Sequence, residues 1–92
     1  MKIGILISGR GANMLAIAEA IESGKIRNSE IAVVISDQPT AQGLIKAKEK
    51  GIETLAIPRN GLTREEHDAE IIAELRKRGV ELICLAGYMR LL

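Results

Sequence analysis

The chain has 92 residues, 47% of them hydrophobic, and 13 Lys and Arg stand against 12 Asp and Glu. That length admits one domain at most, and the near balance of charge argues against a bulk nucleic-acid binder or a polybasic membrane anchor. No apolar run approaches the ~20 residues of a membrane span, Met1-Lys2 leads into a patterned strand rather than a signal peptide, and the single Cys84 has no internal disulfide partner, which together point to a soluble cytoplasmic protein.

The elements alternate along the chain. Lys2–Ser8 (KIGILIS) is a short β-rich run. Asn13–Ser23 carries Met14, Leu15, Ile17, Ala18 and Ile21 at helical spacing, and Gly24 follows as a C-cap. Glu30–Ser36 (EIAVVIS) is nearly continuous in apolar residues, as a strand buried on both faces should be. Asp37-Gln38-Pro39 breaks it, and Thr40–Lys50 reads as a second helix stopped by Gly51. Glu53–Ile57 is a third strand, ended by Pro58. Thr63 and Glu66 have the spacing of a capping box, and Glu65 and Asp68 match the helix dipole. That helix runs to Arg78, with a basic last turn, and stops at Gly79. Glu81–Ala86 (ELICLA) is a fourth strand.

Strands alternating with helices imply parallel pairing through right-handed crossovers, an α/β fold with a Rossmann-like parallel sheet and flanking helices. Such sheets bind ligands outside the carboxyl ends of their strands. The loops Ser8–Asn13, Ser36–Thr40, Pro58–Thr63 and Gly87 onward are therefore the ones of interest.

In the first of these, Gly9 and Gly11 permit a tight turn and close approach of a ligand to the backbone. The following helix directs its free N–H groups and positive pole at the same space, which suits a phosphate; a turn that binds nothing is the competing reading. Gly9-Arg10-Gly11-Ala12-Asn13-Met14 lacks the third glycine of a dinucleotide fingerprint and has no Gly-Lys-Ser/Thr of a P-loop. A mononucleotide-like phosphate fits better than NAD or ATP. Asp37 is read as a turn former before Pro39 rather than a ribose-binding carboxylate.

His67 is the sole histidine, with no partner at ligand spacing, so a metal site is not expected and a surface histidine is. Cys84 reads as a small core residue. Lys46, Lys48, Glu49 and Lys50 form a solvated helix face, and Arg76-Lys77-Arg78 complements a helix dipole. Arg64 near a helix N-terminus is either a solvent-exposed arginine or a contact for an anionic partner. Tyr88 is the only aromatic among Phe, Tyr and Trp, so no platform for stacking bases exists. The closing Leu85–Leu92 (LAGYMRLL) either lines a pocket for a flat heterocycle or begins the next core element.

The residues carry a resemblance. The opening KIGILISGRGANMLAI, the segment VVISDQPTAQGLIKAKEKGI, the helix start TREEHDAEI and the closing LAGYMRLL are similar to the N-terminal half of the phosphoribosylglycinamide formyltransferases (GAR transformylases). The similarity spans essentially the whole chain, and the opening and closing segments together are its most specific part. It implies four strands of a larger formyltransferase fold, with residues 1–92 as the half that contacts ribonucleotide and folate. It implies transfer of a formyl group from 10-formyltetrahydrofolate to the amine of glycinamide ribonucleotide, in de novo purine (IMP) biosynthesis. By resemblance Gly11, Ala12 and Asn13 take the ribonucleotide phosphate. The family often has Ser where this chain has Ala12, which would leave backbone donation alone. Arg64, Met89, Arg90, Leu91 and Leu92 match positions associated with the folate.

Formyl transfer needs a deprotonated amine and a stabilised oxyanion. The family uses an Asn, a His and an Asp beyond the segment matching LAGYMRLL, so no catalytic residue is expected within this chain, which resembles a truncated half-enzyme, inactive alone. In a truncated sheet ELICLA would be an open apolar edge, and self-association or pairing with a complementing C-terminal fragment is expected. Two other readings stay open: a formyltetrahydrofolate deformylase fragment, which the start just before the first strand disfavours, and a non-catalytic phosphate-binding or assembly module.

Overall fold

The structure is a computed structural model. It describes residues 1–7, 12–26, 28–85 and 88–91, and for residues 12, 13 and 88–91 it describes the backbone. The elements run β1 (Lys2–Ile7), α1 (Ala12–Glu22), β2 (Glu30–Ser36), α2 (Gln42–Glu49), β3 (Thr54–Ala56), α3 (Arg64–Lys77), β4 (Leu82–Leu85) and β5 (Tyr88–Leu91). The sheet order is β3-β2-β1-β4-β5. The first four strands are mutually parallel, as the alternation of strand and helix requires.

β5 corrects the sequence reading. It pairs antiparallel with β4, Leu85 opposite Tyr88 and Leu82 opposite Leu91. β4 is therefore not an open edge, and the argument for self-association through it falls. Two residues separate the strands in sequence, enough for antiparallel neighbours, whereas a parallel strand needs a long crossover. The sheet edges are β3 and β5.

Side chains alternate across β1. Ile3, Ile5 and Ile7 join a core with Met14 and Ile17 of α1, Leu44 and Ala47 of α2, Val34 and Cys84. Leu6 points the other way, into a core of Val33, Ile35, Leu75 and Val80 with Ile71. Thus α1 and α2 cover one face and α3 the other. Ile3 pairs with Ile31 but Gly4 with Val33. Ala32 is the extra residue of a β-bulge, so Ala32 and Val33 both pack on the α3 face. The near-continuous apolar run of β2 is explained by burial on both faces.

Helix ends follow local chemistry. Gly51 and Gly79 take φ of +79° and +72°, a left-handed conformation that ends α2 and α3 where a side chain would be strained. Arg78, just past α3, donates from Nε and Nη2 to Glu53 Oε2 at 2.9 and 2.7 Å. Its Nη1 reaches the Glu74 carboxylate at 2.8 Å and the Glu74 carbonyl at 2.9 Å. The basic last turn therefore satisfies a helix carbonyl and also ties α3 to the entry of β3. These hydrogen bonds hold the Glu53 and Glu74 carboxyls below their ordinary range.

Gly4 lies where α3 crosses β1. A Cβ there would come 2.5 Å from Leu75 Cδ2 and 3.2 Å from Val80 Cγ1. Leu75 is fully buried and has little room to yield. Gly4→Ala should lower unfolding free energy by about 1–3 kcal/mol, read from urea midpoints at constant slope. An unchanged midpoint would show that α3 shifts freely on the sheet.

Candidate functional site

The topology locates the site. From β1 the chain moves through α1 to β2 and through α2 to β3, then returns across the opposite face through α3 to β4, on the other side of β1. The direction reverses between β1 and β4, whose carboxyl ends lie side by side, Leu6 opposite Leu85. β1 leads to α1 on one face while β4 pairs in the plane of the sheet with β5, and the carboxyl edge beside such a reversal of strand order is the place where doubly wound sheets take ligands. No described helix is long and apolar enough to cross a membrane.

The sequence-derived site residues distribute around that edge. Gly11 and Leu92 lie outside the described residues. Ala12 and Asn13 are the first two residues of α1, whose leading N–H groups lack intrahelical acceptors. Arg64 opens α3 and is exposed. It sits beyond β3, two strands from β1, a lateral step of about 10 Å. Met89, Arg90 and Leu91 lie on β5 opposite Cys84, Ile83 and Leu82, so β5 starts at the carboxyl edge and runs away from it. Tyr88 is nearest the carboxyl edge along the sheet, and Leu91 the furthest of the four.

The connection from β3 to α3 is built tightly. Asn60 and Gly61 have φ of +46° and +81°, and Leu62 N donates to Arg59 O at 2.7 Å. Positive φ at both central residues is the signature of a type I′ turn, for which Asn-Gly is the preferred pair. The capping box then forms as the sequence predicts. Glu66 N donates to Thr63 Oγ1 at 3.1 Å, and Thr63 N donates to Glu66 Oε1 at 2.9 Å. Hydrogen bonds from the Thr63 backbone and then its side chain hold the Glu66 carboxyl below its ordinary range.

His67 departs from expectation. It is buried, not a surface residue, and its Nε2 lies 2.6 Å from Ile57 O. A carbonyl only accepts, so Nε2 carries the hydrogen. The overlooked signal is the spacing His67–Ile71–Leu75, one inward face of α3 set among charged neighbours. Cys84 is a buried free thiol whose pKa burial pushes up, a core residue as expected. At the end of β2 the turn is shaped by Ser36 Oγ, which accepts from Gln38 N at 3.0 Å. Among the described residues no group of three His, Cys, Asp or Glu could hold a metal.

A cleft of about 540 Å³ opens at the opposite, amino edge, lined by Lys2, Glu30, Ile31, Glu53, Lys77 and Arg78 among others. Arg78 is already committed there to Glu53 and Glu74. Among the described residues the cleft holds none of the sequence-derived site residues, and no helix begins in its lining.

Comparison with known proteins agrees with this fold. The formyl transferase family model matches residues 1–92. The chain belongs to the formyl transferase family. It is 41% identical to phosphoribosylglycinamide formyltransferase of Haemophilus influenzae, over 99% of this chain and 43% of that protein. It is 39% identical to the trifunctional purine biosynthetic protein adenosine-3 of Drosophila melanogaster, over 99% of this chain and 7% of that one. The glycinamide ribonucleotide transformylase 1 structure from Symbiobacterium toebii superposes with a TM-score of 0.88 at 42% identity, covering 98% of this chain and 42% of that one. The chain thus spans less than half the length of these relatives.

Thr63→Ala removes the hydroxyl half of the cap and should cost about 1 kcal/mol at neutral pH. The lowered Glu66 pKa contributes stability above the ordinary carboxylate range, about 4.3, and that part is lost as pH falls through the folded value. Glu66→Gln removes the titrating group, so the stability gap between wild type and that variant should narrow on acidification; urea titrations across the acid range that show a constant gap would contradict the coupling.

Proposed function

We propose that this chain is the substrate-holding part of a glycinamide ribonucleotide transformylase, taking the ribonucleotide at one end of the carboxyl edge and 10-formyltetrahydrofolate along it. The observation that carries the reading is the match to phosphoribosylglycinamide formyltransferases over essentially the whole chain. In this reading Gly11, Ala12 and Asn13 give backbone N–H groups to the phosphate, where the positive pole of α1 favours an anion. Ala12 has no hydroxyl to add, so recognition there is through the backbone. Arg64 faces the anionic part of the folate, and Met89, Arg90, Leu91 and Leu92 flank its heterocycle. The step between Arg64 and the carboxyl ends of β1 and β4 suits an extended ligand and not a compact one.

Formyl transfer joins the ribonucleotide amine to the formyl carbon through a tetrahedral intermediate, and then breaks the bond from that carbon to the folate nitrogen. This requires proton removal from the amine and donors for the oxyanion. The residues read here bind and orient the two reactants; in this reading the proton and oxyanion chemistry falls to groups beyond the segment that matches. Holding both reactants contributes through proximity, which can supply several kcal/mol of a bimolecular barrier. The buried free Cys84 supports a reducing, cytoplasmic setting.

Calorimetry with glycinamide ribonucleotide and with its dephosphorylated nucleoside tests the phosphate site; removal of the phosphate should weaken binding at least tenfold. Arg64→Ala should weaken tetrahydrofolate about three- to tenfold, the range for an exposed charged contact, with ribonucleotide affinity unchanged. Equal affinities for nucleoside and nucleotide would overturn the reading of the glycine loop.

A further inference from the structure

Among the described residues, Ser36 and His67 are the buried polar side chains. Ser36 is accounted for by the turn it shapes. His67 is not: it sits in the first turns of α3, amid exposed charged neighbours, and spends a buried imidazole on one backbone carbonyl.

The geometry of that contact is informative. Ile57 N donates to Ser36 O at 2.8 Å, and Ile57 O accepts from His67 Nε2 at 2.6 Å. One peptide segment at the end of β3 is thus tied to β2 on one side and to α3 on the other. Between Ile57 and His67 lie the I′ turn, the capping box and Arg64. The bond joins the two stems of this loop at its base. The turn and the cap fix shape within the loop; the His67 bond fixes the loop against the sheet. A hydrophobic residue at position 67 would fill the same space, but would leave the Ile57 carbonyl without this donor in a buried place.

We propose that His67 is a positioning residue, which through Ile57 holds the β3–α3 loop in the place from which Arg64 is presented at the carboxyl edge. The consequence for ligand rests on the folate reading of Arg64 given above; the consequence for the loop does not. Arg64 lies three residues before His67 on the same helix, so a rotation or lift of the first turn of α3 moves both. A guanidinium that recognises an anion through directed hydrogen bonds loses them when its base shifts.

The test compares His67→Phe, which keeps a ring and removes the donor, with His67→Gln, which keeps a terminal N–H. Amide exchange is read at Leu62, Thr63 and Glu66, whose N–H groups bond within the loop, and at Val34, whose N–H bonds to Glu53 O within the sheet. In His67→Phe the three loop amides should exchange at least fivefold faster relative to Val34, and His67→Gln should restore most of that protection. A uniform change at all four amides would mean a role in global stability alone and would overturn the proposal. So would equal loss in both variants. Should His67→Phe not fold, the imidazole nitrogen spectrum of the wild-type protein decides: a hydrogen on Nε2 is expected, and an Nδ1–H tautomer overturns the contact. With tetrahydrofolate as probe, His67→Phe should weaken binding about three- to tenfold, Arg64→Ala combined with it should add little to Arg64→Ala alone, and glycinamide ribonucleotide binding should not change. If Arg64→Ala leaves tetrahydrofolate affinity untouched, the folate reading fails while the exchange data still decide the loop.

Discussion

The placement of β1 between β2 and β4, buried on both faces, is the constraint on which the rest of the molecule depends. Ile3 and Ile5 on one face meet α1 and the second strand; Gly4 on the other leaves room for Leu75 and Val80. Parallel neighbours on both sides of one strand demand crossovers in opposite directions, and these put α1 and α2 on one face and α3 on the other. The reversal of strand order between β1 and β4 is a by-product of that arrangement. The energetics agree with it. Each fully buried isoleucine contributes about 1.5–3 kcal/mol, whereas a surface pair such as Lys50–Glu22, at 3.4 Å, falls in the class worth about 0–1 kcal/mol. Aliphatic burial sets the frame, and the ion pairs adjust its rim.

The two edges of the sheet differ in kind. At the amino edge the charges are largely mutual: Arg78 with Glu53 and Glu74, and Lys77 with Glu74. The carboxyl edge is where α1 begins, and where α3 begins with an exposed arginine after a type I′ turn and a capping box. Anion recognition needs donors that the fold has not already used, and the proposed reading places it at the carboxyl edge for that reason.

Much of this was legible in the sequence where one signal dominated. EIAVVIS has the bounds of β2 because an apolar run between a charged residue and a turn leaves little choice. Thr63 and Glu66 announce the start of α3, and Gly51 and Gly79 stand just past the ends of α2 and α3. The misses have physical causes. α2 begins at Gln42 rather than Thr40, because the Ser36 turn and the bond from Ala41 N to Gln38 O occupy the intervening residues. β3 shrinks to Thr54–Ala56, an edge strand with one partner. β5 is four residues long, too short for any period to register, and its pairing is set by β4 and not by its own pattern. His67 was hidden by the charges around it, since a polar residue on the inward face is revealed by its partner, and the partner is a backbone carbonyl ten residues away.

The direct test of the central claim is a crystal structure of this chain with glycinamide ribonucleotide. The account predicts the phosphate at the amino end of α1, within about 3 Å of the backbone nitrogens of Ala12 and Asn13. A phosphate seated in the amino-edge cleft beside Lys2 and Lys77, with the start of α1 unoccupied, would contradict it.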